Sequence, residues 1–276
     1  MSFKRLRFFK KKVRRRYTML TAYDAPTAAL LERAGVDMLL VGDSLGMVVL
    51  GYDSTAPVTM EEMIHHAKAV RRGAPRSPVI ADMPLKGIER GPAQALASAR
   101  RFIREAGADA VKVEWGPKAL AITRLLTSKG IAVMGHVGLT PQTLGFKVRG
   151  ATAEQALDIV DQALAFENAG AFSVLLECVP SPVAALVTRR LRVPTVGIGA
   201  GPHCAAQVLV FHDLVGIFKK FSPRFVKRYA ELDARMERAV RNYVTEVRSG
   251  VFPAARHAFT MKPDERKKML EGAESR

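Results

Sequence analysis

Short apolar runs alternate with longer stretches of helical period along most of the chain. The runs that read as strands are Thr18–Tyr23, Met38–Gly42, Pro78–Asp82, Ala110–Glu114, Ile131–His136, Phe172–Glu177, Pro194–Ile198 and Val208–Phe211. Between most of them the spacing predicts helices over Pro26–Ala34, Met60–Arg71, Pro92–Glu105, Lys118–Lys129, Ala153–Asn168 and Val183–Arg190. One joint is used three times. Glu32-Arg-Ala-Gly-Val-Asp-Met-Leu-Leu-Val recurs as Arg104-Glu-Ala-Gly-Ala-Asp-Ala-Val-Lys-Val and as Glu167-Asn-Ala-Gly-Ala-Phe-Ser-Val-Leu-Leu. Each copy closes a helix on a glycine suited to the C′ position and then enters an apolar strand. Such runs are too continuously apolar for a sheet with one wet face, so the strands are parallel and buried. Eight of them with interposed helices predict a (β/α)8 barrel, and a doubly wound sheet is the alternative. The joint between the last two strands is too short for a full helix, which leaves closure there open.

The pattern turns helical again over Phe225–Arg248, and beyond Phe259 the chain is polar and reads as loose. The expected organisation is a basic arm (residues 1–16), a barrel with C-terminal helices (17–259) and a polar tail (260–276).

Composition narrows the classes of protein. Hydrophobic residues make up 48% of the 276 and charged ones 25%, enough for a large core. No apolar run approaches the roughly 18 residues of a membrane helix. Met1–Arg16 lacks the apolar segment of a secretory signal. The two cysteines, Cys178 and Cys204, have no metal-type pairing, and a reducing cytoplasm is expected. The net charge of +17 raises nucleic acid as a partner. However, nine of the basic residues lie in Lys4–Arg16 and others cluster from Lys219 to Arg241, while aromatics are only 7% and not interleaved with them. A solvated arm and a basic surface fit that distribution better than base recognition.

Catalytic groups of a barrel come from the C-terminal ends of its strands. Asp43 and Ser44 follow the second predicted strand and Asp82 closes the third. Lys112 and Glu114 end the fourth, His136 the fifth and Glu177 the sixth. Asp43, Asp82 and Glu114 are an oxygen set suited to a hard cation such as Mg²⁺, which could hold a 2-oxo acid and stabilise its enolate. Glu177 could then move a proton, and Lys112 could neutralise anionic charge. Plainer roles exist for each: a helix cap for Asp43, a structural ion pair for Lys112 and Glu114, a core histidine for His136. Gly197-Ile-Gly-Ala-Gly could bind an anion through its amides or simply turn tightly beside the site. Cys178 has no evident activating base and reads as an inert thiol.

The motifs Thr21-Ala-Tyr-Asp, Val41-Gly-Asp-Ser-Leu-Gly-Met, Pro57-Val-Thr, Ala81-Asp-Met-Pro and Val111-Lys-Val-Glu stand in that order. Gly135-His-Val-Gly-Leu-Thr-Pro-Gln, Leu176-Glu-Cys-Val-Pro and Gly197-Ile-Gly-Ala-Gly-Pro follow. In these, from about Thr18 to Phe259, the chain resembles the ketopantoate hydroxymethyltransferase family. The resemblance implies an α/β TIM barrel of the phosphoenolpyruvate mutase/isocitrate lyase type, Mg²⁺ dependence, and a place in pantothenate and coenzyme A biosynthesis. It implies transfer of a one-carbon unit from 5,10-methylenetetrahydrofolate to C3 of 3-methyl-2-oxobutanoate, giving 2-dehydropantoate and tetrahydrofolate. Carried over by motif, Asp43, Asp82 and Glu114 are metal ligands, and Asp43, Ser44, Asp82, Lys112 and His136 contact the oxo acid. Glu177 is then the proton acceptor. The family also implies a homo-oligomer, often a decamer.

The chain departs from the family pattern at Trp115 (usually glycine), Leu85 (usually aromatic), Ala205-Ala206-Gln207 (usually Asp-Gly-Gln) and a shortened loop at 142–146. These put folate contacts and rim shape in question more than the acids. Two other readings stay open: a different Mg²⁺-dependent carbon–carbon lyase or mutase acting on a 2-oxo acid, and a non-enzymatic scaffold or nucleic-acid-associated protein using the basic arm.

Overall fold

A computed structural model describes residues 5–10, 15–140, 142, 149–220 and 223–275. The chain divides into two compact units, Met1–Tyr229 and Ala230–Arg276. In the first, eight parallel strands close into a ring in sequence order. They are β1 (Tyr17–Thr21), β2 (Met38–Val41), β3 (Val79–Asp82), β4 (Ala110–Glu114), β5 (Val133–Gly138), β6 (Ser173–Glu177), β7 (Thr195–Ile198) and β8 (Ala206–Leu209). The helices are α1 (Ala25–Arg33), α2 (Leu45–Val48), α3 (Met60–Gly73), α4 (Leu85–Ile88), α5 (Pro92–Glu105), α6 (Ala119–Ser128), α7 (Ala153–Asn168), α8 (Ser181–Arg190) and α9 (Phe211–Leu214). The fold is the expected (β/α)8 barrel rather than a doubly wound sheet. The short joint after β7 does not prevent closure, because β8 pairs with both β7 and β1.

The helices begin where local chemistry satisfies their first amides. Thr59 and Glu62 form a reciprocal capping box on α3. Asp24 accepts from the Thr27 N–H at the start of α1, and Thr152 accepts from Gln155 at α7. The strands' period of two then sorts side chains between two cores. Outward residues such as Val111, Val113, Val133, Val174 and Leu176 pack under the helices. Inward Met38, Leu40, Ile80, Ala110, Met134 and Leu175 fill the barrel. On β4 the inward positions run Ala110, Lys112, Glu114, so one strand carries the apolar filling below and the ionisable groups above.

Within the basic arm, the described residues 5–10 are not all in solvent. Leu6 and Phe9 are buried in the inner core with Tyr17, whose ring meets Phe9 edge-on at 5.1 Å. Arg5 and Arg71 both reach the buried Asp109 just before β4, at 3.0 and 2.5 Å. Positive charge had concealed the apolar residues of this stretch.

The second unit contains α10 (Leu232–Arg248) and α11 (Pro263–Glu274). The helix expected from Phe225 therefore starts at Leu232, and part of the expected polar tail is helical. No helix among the described residues is long and apolar enough to cross a membrane.

Candidate active site

A cavity of about 370 Å³ opens at the C-terminal ends of the strands, and every site residue named from the sequence lines it. Asp43, Ser44, Asp82, Lys112, Glu114, His136 and Glu177 thus come together on one side, delivered by β2 to β6 or the residues just after them. The register explains why. Asp82 lies opposite Lys112, Glu114 opposite His136, and Gly138 opposite Glu177, so neighbouring strand ends present these groups at one level.

Lys112 Nζ sits 2.6 Å from Asp82 Oδ1, and both side chains are under a tenth exposed. Burial alone would push the lysine pKa down, but Asp82 and Asp43 outweigh it and hold the ammonium protonated. The other Asp82 oxygen accepts the Asp43 N–H at 3.1 Å. Burial, with Asp82 adding to it, raises Asp43 to about 7. Burial likewise raises Glu114 to about 9. His136 is buried, and its Nε2 and Nδ1 lie 3.2 Å from Glu177 Oε2 and 3.6 Å from Glu114 Oε2. Neither contact is aligned as a hydrogen bond, and burial followed by Lys112 lowers the imidazole pKa, so the ring is neutral. Glu177 is the more accessible carboxylate, with a side chain one-fifth exposed.

Two residues without an assigned role prove to organise the rest. Gln142 donates from Nε2 to Asp43 Oδ2 at 2.6 Å and to the Met83 carbonyl at 3.1 Å, while its backbone N–H donates to Glu114 Oε1 at 3.1 Å. It therefore ties two of the buried carboxylates together. The buried Tyr23 shares a 2.8 Å hydrogen bond with Ser44 Oγ. Both residues closed or sat within motifs already quoted, but a loop glutamine or a lone tyrosine has no period to mark it.

Trp115 does not reach this cavity. As the next residue after inward-facing Glu114 it faces outward, edge-on to Phe166 of α7 at 5.6 Å. The glycine motif after β7 allows close approaches. A Cβ on Gly199, which has φ +61°, would lie 2.8 Å from the Phe225 ring. One on Gly201 would lie 2.4 Å from Ser181 Oγ. Burial, with Glu177 beside it, pushes the Cys178 thiol up to about 12, which agrees with an inert role. The remainder of the shortened loop, residues 143–146, lies outside the described residues.

The donor set suits one kind of ion. On this side of the cavity four carboxylates face a single lysine, which leaves a deficit of positive charge. Among the described residues no three His, Cys, Asp or Glu side chains converge as a ready-made ligand cluster. A cation that needs a complete protein cage is a poor match. Mg²⁺, which takes one or two carboxylates and keeps waters and substrate oxygens, fits.

A closed parallel barrel with buried acids and a lysine at its strand ends is the architecture of a barrel enzyme. Solved structures with the same fold include a phosphoenolpyruvate phosphomutase from Streptomyces platensis subsp. rosaceus. It has a TM-score of 0.64 and 17% identity, over 98% of this chain and 95% of that one. A 2,3-dimethylmalate lyase of the PEP mutase/isocitrate lyase superfamily matches at 0.62 and 18%, over 99% and 93%. These fix the fold type. The chain belongs to the ketopantoate hydroxymethyltransferase family, whose model matches residues 2–255. The 3-methyl-2-oxobutanoate hydroxymethyltransferase of Oleidesulfovibrio alaskensis is 52% identical over 93% of this chain and 90% of its own length. An enzyme of the same name from Thermus thermophilus is 55% identical over 88% and 95%.

Proposed function

We propose that this chain is an enzyme that transfers a hydroxymethyl group to 3-methyl-2-oxobutanoate, with 5,10-methylenetetrahydrofolate as the donor. The observation that carries this reading is the buried Lys112–Asp82 pair set in the same cavity as the more accessible Glu177. A permanently charged ammonium in a low-dielectric cavity attracts an anionic oxo acid and favours charge developing on its keto oxygen. Glu177 is the base that takes the C3 proton, with the neutral His136 ring 3.2 Å from its carboxylate. Ser44, oriented by Tyr23, contacts the oxo acid. One or two of the three expected ligands, Asp43, Asp82 and Glu114, would hold Mg²⁺, which would supply Lewis acidity to the oxygens of the oxo acid.

The balance is simple. The C3–H bond breaks, a bond forms from C3 to the one-carbon unit, and both carbon–nitrogen bonds of the methylene bridge break. Water supplies the new hydroxyl, and tetrahydrofolate leaves. In D₂O with Mg²⁺, the enzyme should exchange the C3 proton of 3-methyl-2-oxobutanoate without any folate, and Glu177→Gln should abolish that exchange. Exchange that survives the substitution would remove Glu177 from the role. Product formed equally well with no one-carbon donor would point to a different lyase or mutase reaction.

A further inference from the structure

The wall of the cavity is chemically divided. The ionisable groups described above all come from the side built by β2 to β6. The opposite side, from β7, β8 and the segment after them, is apolar, with Ile198, Val210, Phe218 and Phe225. Two charged residues interrupt that surface, Asp213 in α9 and Arg224. Neither belongs to the oxo-acid machinery, and no carboxylate other than Asp213 lies on this side of the cavity among the described residues. A small branched oxo acid cannot use the whole of about 370 Å³, so space remains against this wall.

Resting on the donor assignment above, we propose that this wall is the folate subsite, with Asp213 accepting the paired N–H groups of the pterin's aminopyrimidinone edge. The chemistry matches part by part. A pterin is a flat heteroaromatic that needs apolar and aromatic faces, which Phe218 and Phe225 provide. Its ring N–H and exocyclic amino group point the same way, a donor pair complementary to the two oxygens of one carboxylate. Asp213 is half-buried, so such hydrogen bonds are shielded from competing water. Burial raises its pKa to about 6, against the opposing pull of Arg228, and it is still mostly ionised at neutral pH. Arg224 is exposed on the cavity wall, where a guanidinium can meet the carboxylates of the glutamyl tail. Phe225 reaches its place because Gly199 has no side chain, which gives the glycine motif after β7 a part in shaping this subsite.

The test uses the full-length enzyme and Asp213→Asn, which keeps the shape and removes one acceptor and the charge. Tetrahydrofolate binding, titrated directly, should weaken at least tenfold. The KM for methylenetetrahydrofolate should rise by a similar factor while the KM for 3-methyl-2-oxobutanoate stays within twofold. A tetrahydrofolate analogue lacking the 2-amino group should bind wild type poorly and should lose little more on Asp213→Asn. Unchanged tetrahydrofolate affinity in a folded variant would overturn the assignment, as would equal losses for both substrates. If Asp213→Asn does not fold, the analogue on wild type decides alone: binding as tight as tetrahydrofolate overturns the assignment. Failure of the folate-independent exchange in wild type would instead count against the enolisation scheme and leave the binding result to judge Asp213.

Discussion

Replacing Gln142 with alanine removes two hydrogen bonds from the base of the site, those to Asp43 Oδ2 at 2.6 Å and to the Met83 carbonyl at 3.1 Å. The backbone N–H to Glu114 survives, so the substitution isolates the side chain. A hydrogen bond to a buried charge contributes about 1.5–3 kcal/mol, which corresponds to a pKa change of roughly one to two units. Because Gln142 stabilises the ionised form of Asp43, its loss moves the Asp43 pKa upward from about 7. The carboxylate must be ionised to hold a cation, so the acidic limb of the rate profile should shift to higher pH by that amount. Apparent Mg²⁺ affinity should fall correspondingly at neutral pH. Rates measured against pH at subsaturating Mg²⁺, with calorimetric Mg²⁺ titrations, give both quantities. An unchanged acidic limb together with unchanged Mg²⁺ affinity would refute the coupling between Gln142, Asp43 and the cation.

Other outcomes follow from the same geometry. Without divalent cation, Asp43 and Glu114 bind more protons folded than unfolded, because burial raises both above their ordinary values of 3.8 and 4.5. Their contribution to stability is then fully present below those ordinary values and is lost as pH rises through about 7 and about 9. Each extra bound proton gives a slope of about 1.4 kcal/mol per pH unit, and Mg²⁺ should flatten it in thermal melts. Gly135→Ala would place a Cβ 2.4 Å from the Phe166 ring and should cost about 1–3 kcal/mol in urea denaturation. Arg71→Ala should cost about 3 kcal/mol by leaving the buried Asp109 with weaker compensation, without altering the KM of either substrate.

Much of the barrel was legible because parallel strands buried on both faces appear as uninterrupted apolar runs. The ends of β4, α5 and α7 agree with the pattern residue for residue. β8 was displaced by two residues, since Ala206 and Gln207 lack the bulk that marks a strand and are held by pairing with Tyr17 and Thr18. The acids and Lys112 were legible for a similar reason, as polar residues ending apolar runs. Gln142 and Tyr23 were not. Their significance lies in what they face across the ring, and no local spacing encodes a contact such as Gln142 to Asp43, 99 positions apart. Trp115 departs from the family's glycine without touching the cavity, because it packs on Phe166. The alternation that turns Glu114 inward turns its neighbour toward α7.

That placement gives the protein a built-in optical label. Trp115 is the sole tryptophan in the chain, half-buried against Phe166 and one peptide bond from Glu114. Its emission spectrum would track the integrity of the Met1–Tyr229 unit around β4 and α7, since the Ala230–Arg276 unit contains no indole. Comparing it with far-ultraviolet dichroism, which sees α10 and α11 as well, would separate melting of the barrel from melting of the C-terminal helices without any introduced dye.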